Sequence, residues 1–158
     1  MVAYACYQQL FALLAQGPVI VATVIAAQGE TPRGIGAKML IWGTAETYDS
    51  LGDPASDARV MAQALEVLKT GMPQRLTLDI APSAPKGIGG TLQLWLSRWQ
   101  GTDAIATVQQ VLTTLETPSS EGRLVIPLVA GQTPYVLSQE NSSLRNLQGK
   151  DAYIEDLV

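Results

Sequence analysis

A nine-residue run, Val19–Ala27 (VIVATVIAA), limits what this chain can fold into more than any other segment. Both of its alternations are apolar, and most of its residues are β-branched. A strand of that kind has no face to offer to water, so it belongs in the middle of a sheet covered on both sides. It is about half the length a bilayer crossing needs, so no membrane span is expected. With 158 residues, the chain can build the core that such a strand demands within one domain of ordinary size.

The flanking pattern supplies the covering elements. Tyr4, Tyr7, Phe11 and Leu14 recur at helical spacing before Gly17-Pro18, which predicts a helix over residues 3–16. After the central strand comes a turn-rich loop, Gln28–Gly36, rather long for a hairpin, and then a second strand, Ala37–Trp42. Asp53-Pro54 marks a helix start, with Asp at the N-cap and Pro at the first helical position. Val60/Met61, Ala64/Leu65 and Leu68 form its apolar face, and Gly71 with Pro73 closes it.

Arg75–Ile80 and Thr91–Trp99 alternate as half-buried strands around a second glycine-rich loop, Ala81–Gly90. Leu92, Leu94 and Leu96 share one face of the later strand, while Trp95 and Trp99 fall on the other, as a self-association face or under a covering helix. A third helix buries Ile105, Val108, Leu112 and Leu115, and a strand pair follows at Leu124–Val129 and Tyr135–Leu137. The polar stretch from Gln139 reads as a mostly loose tail, which leaves residues 1–138 as the domain and 139–158 as the tail. Helix-strand-strand thus occurs three times without sequence repetition. The expected fold is α/β (mixed α+β), a single domain with a mixed sheet covered by helices.

Composition excludes much chemistry. There is no His, which removes His-based triads, His-ligated zinc and imidazole proton transfer. The single Cys, Cys6, excludes an internal disulfide or a multi-cysteine metal cluster, and is read as a core or interface thiol. The net charge of -4 disfavours nucleic acid as a partner. Charged residues make up only 15% of the chain, which implies that part of its surface is covered by a second copy or a partner. The N-terminus lacks the basic segment of an export signal, so a cytoplasmic address is expected.

Two loops gather the remaining chemistry. One is Thr31-Pro32-Arg33-Gly34-Ile35-Gly36-Ala37-Lys38, and the other is Lys86-Gly87-Ile88-Gly89-Gly90. Glycines let backbone N–H groups converge on an oxyanion, and Arg33, Lys38 and Lys86 supply positive charge. The bland alternative is glycines at turns beside solvated cations. Each loop has only a GxG and leads into a strand, so neither is a dinucleotide motif, and no nicotinamide or flavin cofactor is expected.

The segment GPVIVATVIAAQGETPRGIGAKMLIW, Pro18–Trp42, resembles the N-terminal domain of the xanthine dehydrogenase accessory (XdhC/CoxI-type) proteins. The shared marks are ATV in an apolar strand, then TPR, then GAKML, and later the Gly-x-Gly-Gly turn at Gly87–Gly90. The resemblance runs over roughly residues 5–100. It implies a chaperone-like accessory protein, often dimeric, that binds the molybdenum cofactor (molybdopterin, a phosphorylated pterin) for a xanthine-dehydrogenase-type molybdoenzyme. On that reading Thr31, Pro32, Arg33, Gly34, Gly36, Lys38, Lys86, Gly87, Gly89 and Gly90 form the cofactor-binding set, and the partners are the pterin-type ligand, a molybdoenzyme or accessory protein, and a second copy.

The sequence departs from the family where sulfur would be handled. In Ser50-Leu51-Gly52-Asp53-Pro54-Ala55-Ser56-Asp57, Pro54 stands at the family's Cys or third Gly, while Asp57 aligns with its acid. Ile88 replaces a second Cys. Catalytic residues and metal ligands are therefore not assigned. Glu30 with Asp57, or Asp49 with Asp53, could pair as carboxylates, but solvated acids and an Asp53 N-cap are the simpler readings. The alternative function is a dimeric scaffold or adaptor that no longer binds the cofactor.

Overall fold

The structure, a computed structural model, describes residues 2–80, 89–117, 121–138 and 152–157. The chain forms two compact units, Pro18–Arg98 and the terminal pair of segments Met1–Gly17 and Trp99–Val158. The mixed α+β class holds, and the strands divide between a five-stranded and a three-stranded sheet.

In Pro18–Arg98 the sheet is ordered β3-β2-β1-β5-β4. Its strands are β1 (Val19–Gly29), β2 (Lys38–Trp42), β3 (Glu46–Tyr48), β4 (Gln74–Ile80) and β5 (Gly90–Trp99). The apolar run is the central strand, with Val19 to Val24 all buried. It pairs antiparallel with β2 from Val19↔Trp42 to Thr23↔Lys38. Beyond Val24 the strand runs on to Gly29 without a β2 partner. That overrun explains why the connection to β2 is long for a hairpin.

The helix α2 (Pro54–Thr70) covers one face of this sheet. Its ends follow from its sequence. Asp53 is the N-cap and accepts the Ala55 N–H at 3.2 Å, Pro54 opens the first turn, and Gly71 closes the last at φ 76°. Val60, Ala64 and Val67 are buried against Ile20, Ala22, Val24, Ile41, Leu78, Leu92, Leu94 and Leu96. Leu65, expected on this face, is 38% exposed, because five residues of helix carry it well around from Val60. Trp95 and Trp99 are buried at 6% and 2% exposure, so neither indole offers an open self-association face.

In the other unit, α1 (Val2–Leu14) packs against α3 (Gly101–Glu116). The sheet is ordered β7-β6-β8, from β6 (Gly122–Pro127), β7 (Tyr135–Ser138) and β8 (Ala152–Leu157). The tail reading fails for Ala152–Leu157, which pairs with β6 from Gly122↔Leu157 to Pro127↔Ala152. Its charged residues disguised it. Glu155 accepts hydrogen bonds from the hydroxyls of Tyr7 on α1 and Tyr153 on β8 itself, which gives a carboxylate a place on a half-buried strand.

The helix faces are also rotated from the simplest reading. Tyr7, Leu10 and Leu14 are buried on α1 while Phe11 is 37% exposed. On α3 the buried set is Ala104, Thr107, Val108 and Val111, and the Thr107 hydroxyl is satisfied 2.9 Å from the Pro134 carbonyl. Cys6 is buried on α1.

Burial first, and then the Glu155 charge, hold the Tyr7 hydroxyl well above its ordinary pKa, and the same two causes raise Tyr153. The folded chain therefore keeps protons that the unfolded chain releases near pH 10. That contribution to stability is complete below about pH 10 and is lost as pH rises beyond it. The urea midpoint is expected to fall above pH 10, and Tyr7→Phe to flatten the fall. Equal pH slopes for the two proteins would contradict the linkage.

Candidate functional site

Strand directions bring three loops to one end of the five-stranded sheet. The C-terminal end of β1 and the first residue of β5 meet there, and β3 runs antiparallel to β2 so that Tyr48 lies beside Leu40. The chain leaving β3, Asp49–Asp53, therefore returns towards the loop that follows β1. The Glu30 N–H donates to the Gly89 carbonyl at 2.9 Å, which ties the first loop to the second.

Two glycines permit these contacts. A side chain at Gly90 would lie 2.5 Å from the Glu30 carbonyl oxygen and 2.7 Å from Thr31 Cγ2. Gly52, at φ 92°, faces Pro32, where an added Cβ would lie 2.6 Å from the proline Cβ. Thr31 and Pro32 are thus wedged between Gly90 and Gly52. The space beside Gly90 is filled by the chain itself.

Arg33 is the charged centre of the cluster. Its Nη1 donates to Asp49 Oδ1 at 2.9 Å and to the Ser50 carbonyl at 2.7 Å. Among the described residues no hydrogen bond uses its Nε or Nη2, and the side chain is 28% exposed. One nitrogen is anchored, and the other edge of the guanidinium remains for a planar oxyanion. The adjoining Gly34 has no atom within 4 Å of its α-position flank.

A second carboxylate fixes the anchor. Asp57, in the first turn of α2, accepts the Ser50 hydroxyl and, at 2.8 Å, the Leu51 N–H. Ser50 Oγ in turn accepts the Gly52 N–H at 2.9 Å, and Asp49 Oδ1 accepts the Ser50 N–H at 2.8 Å. Asp53 spends its side chain on Ala55 and on the Ser56 hydroxyl. Of the carboxylates weighed as pairs, Asp49, Asp53 and Asp57 are each engaged by donors of their own.

The predicted residues therefore separate. Thr31 meets Gly90, and Pro32 and Arg33 meet Gly52, Asp49 and Ser50. Gly36 turns the chain back, its N–H donating to the Val24 carbonyl at 2.8 Å. Lys38 is buried on β2 opposite Thr23, and its ammonium donates to the Gly36 carbonyl at 3.1 Å. Lys86, Gly87 and Ile88 lie outside the described residues. Asp49, Ser50 and Asp57 were not assigned to the binding set, although the Ser50–Asp57 spacing and the positive φ of Asp49, 69°, are their signals.

Residues 12–79 match the model of the XdhC and CoxI family. This segment is similar to that family. It runs from the end of α1 through β1, β2, β3 and α2 into β4, so it carries Thr31, Pro32, Arg33 and the Asp49–Asp57 loop. A solved structure described as a xanthine dehydrogenase from Bacillus halodurans shares the fold, with a TM-score of 0.70 at 16% identity. The likeness covers 96% of this chain and 52% of that one, so the chain spans about half its length. No curated protein matches the chain. No helix among the described residues is long and apolar enough to cross a membrane.

Asp57 is thus the loop's fastener. Asp57→Ala removes the acceptor of the Ser50 hydroxyl and the Leu51 N–H, and is expected to cost about 1–3 kcal/mol of stability. Amide exchange at Leu51 and Gly52 should accelerate while the rest of the sheet keeps its protection. Unchanged exchange at those two amides would remove Asp57 from this role.

Proposed function

We propose that this chain is an accessory binding module of the xanthine-dehydrogenase-type molybdoenzyme system, and that it holds the anionic end of a phosphorylated, pterin-type ligand such as the molybdenum cofactor. The observation that carries this reading is Arg33, fixed through Nη1 with its Nε–Nη2 edge uncommitted at a loop cluster inside the family segment. An anchored guanidinium loses little side-chain freedom on binding, and its fork matches phosphate geometry. Gly34 leaves room for the ligand to approach the backbone next to it.

The donor set fits the anionic end of such a ligand. When bound, the cofactor would carry its molybdenum chemistry to the enzyme that receives it, and this chain's own residues would bind and orient it. Thr31 and Arg33 would face the phosphate. The metal end finds no thiolate in the cluster, since Pro54 occupies the first turn of α2 and Cys6 is buried on α1. We therefore assign holding and delivery, with a molybdoenzyme or accessory protein as the partner, and no step in which this chain handles sulfur. The low charge content, 15%, supports a surface partly covered by that partner or by a second copy.

Titration with metal-free molybdopterin, with bound pterin quantified after gel filtration, tests the assignment. Stoichiometric binding is expected for the unmodified protein, with a loss of at least tenfold (about 1.4 kcal/mol) in Arg33→Ala. The variant should keep its far-UV spectrum, because Arg33 holds a loop and not the core. Absence of binding by the unmodified protein would overturn the reading.

A further inference from the structure

The cation at the centre of the cluster has a carboxylate fixed against it. Asp49 Oδ1 lies 2.9 Å from Arg33 Nη1 and at the same time accepts the Ser50 N–H at 2.8 Å. The carboxylate cannot swing aside without breaking that backbone hydrogen bond. Both side chains are partly exposed, at 28% and 27%, so the pair itself adds little stability. Nor is it the only anchor, because the Ser50 carbonyl holds the same nitrogen at 2.7 Å.

The backbone does not require a charge at this position. Asp49 sits at φ 69°, a conformation that Asn adopts as readily as Asp. Asn would also supply a carbonyl oxygen to Ser50 and to Arg33. What distinguishes Asp from Asn here is one negative charge a few ångströms from the open edge of the guanidinium.

We infer that Asp49 is a specificity-determining residue, which reduces the advantage that a doubly charged oxyanion has over a singly charged one at the Arg33 site. This inference rests on the anion-binding reading above. An oxyanion on the Nε–Nη2 edge is attracted by Arg33 and repelled by Asp49, and both effects grow with each charge the ligand carries, so Asp49 offsets part of what a second charge would gain. At a partly solvated site, each additional ligand charge facing a carboxylate a few ångströms away costs a factor of about three to ten in affinity. Asp49 thus narrows the gap between the dianion of a phosphate monoester and singly charged groups such as a phosphodiester or an ester of sulfuric acid, while the phosphate end of the proposed ligand still binds.

The test uses the full chain at pH 8 and two probes of similar size. Methyl sulfate carries one charge, and methyl phosphate carries two because its second pKa lies near about 6. Both are titrated calorimetrically into the unmodified protein, Asp49→Asn and Arg33→Ala. Asp49→Asn is expected to shift the phosphate-to-sulfate affinity ratio about three- to tenfold towards phosphate. Arg33→Ala should lose both ligands. An unchanged ratio in Asp49→Asn, with both probes still bound by the unmodified protein, overturns the inference and leaves the anion site standing. If neither the unmodified protein nor Asp49→Asn binds either probe, the anion site itself fails, and the inference with it.

Discussion

The burial of β1 on both faces is the constraint from which the Pro18–Arg98 unit follows. A strand with Val19, Val21 and Thr23 buried on one side and Ile20, Ala22 and Val24 on the other cannot lie at an edge. It is therefore flanked by β2 and β5, and α2 closes one face with Val60, Ala64 and Val67. Once β1 is central and longer than its partner β2, its last residues must find contacts beyond the hairpin. They find them at Gly89 and Gly90. The position of the loop cluster is thus a by-product of the length mismatch between two neighbouring strands.

Within the cluster the charges form a hierarchy. Asp57 is committed to Ser50 and Leu51, Asp53 to the start of α2, and Asp49 to Arg33 and Ser50. Each carboxylate accepts from at least one backbone N–H, so the loop is held by charge-assisted bonds to the chain itself. Arg33 is the residue left with unspent donors. A loop arranged this way holds one cation in place without neutralising its reach towards an incoming group.

What the sequence makes legible is local, and what it hides is tertiary. Asp53-Pro54 and Gly71 bracket α2 because capping is decided within a few residues, and the apolar alternation of β1 settles its place for the same reason. The glycines at 89 and 90 and the Thr31-Pro32-Arg33 triplet are assigned to one site from the family resemblance; Thr31 packs against Gly90, while Pro32 faces Gly52 and Arg33 reaches Asp49 and Ser50. Lys38 reads as a binding cation, since a lysine beside a glycine-rich loop gives no hint that its ammonium will turn back onto Gly36. The Asp49–Ser50–Asp57 fastening escapes for a similar reason: it depends on α2 presenting its first turn to the loop. Strand β8 was hidden by Glu155 and Asp156, whose charges read as solvated until Tyr7, distant in the chain, is seen to supply a donor.

That last contact has a bearing on how the chain is made. Tyr7 and Glu155 are 148 residues apart, and β8 pairs with β6 far downstream of α1. The terminal unit is therefore split in sequence around a continuous one. During synthesis Pro18–Arg98 emerges entire and can close its core while α1, already exposed, still lacks the strand that receives its tyrosine. The helix is made well before the strand, so during that interval α1's buried face, Tyr7, Leu10 and Leu14, lacks part of its cover.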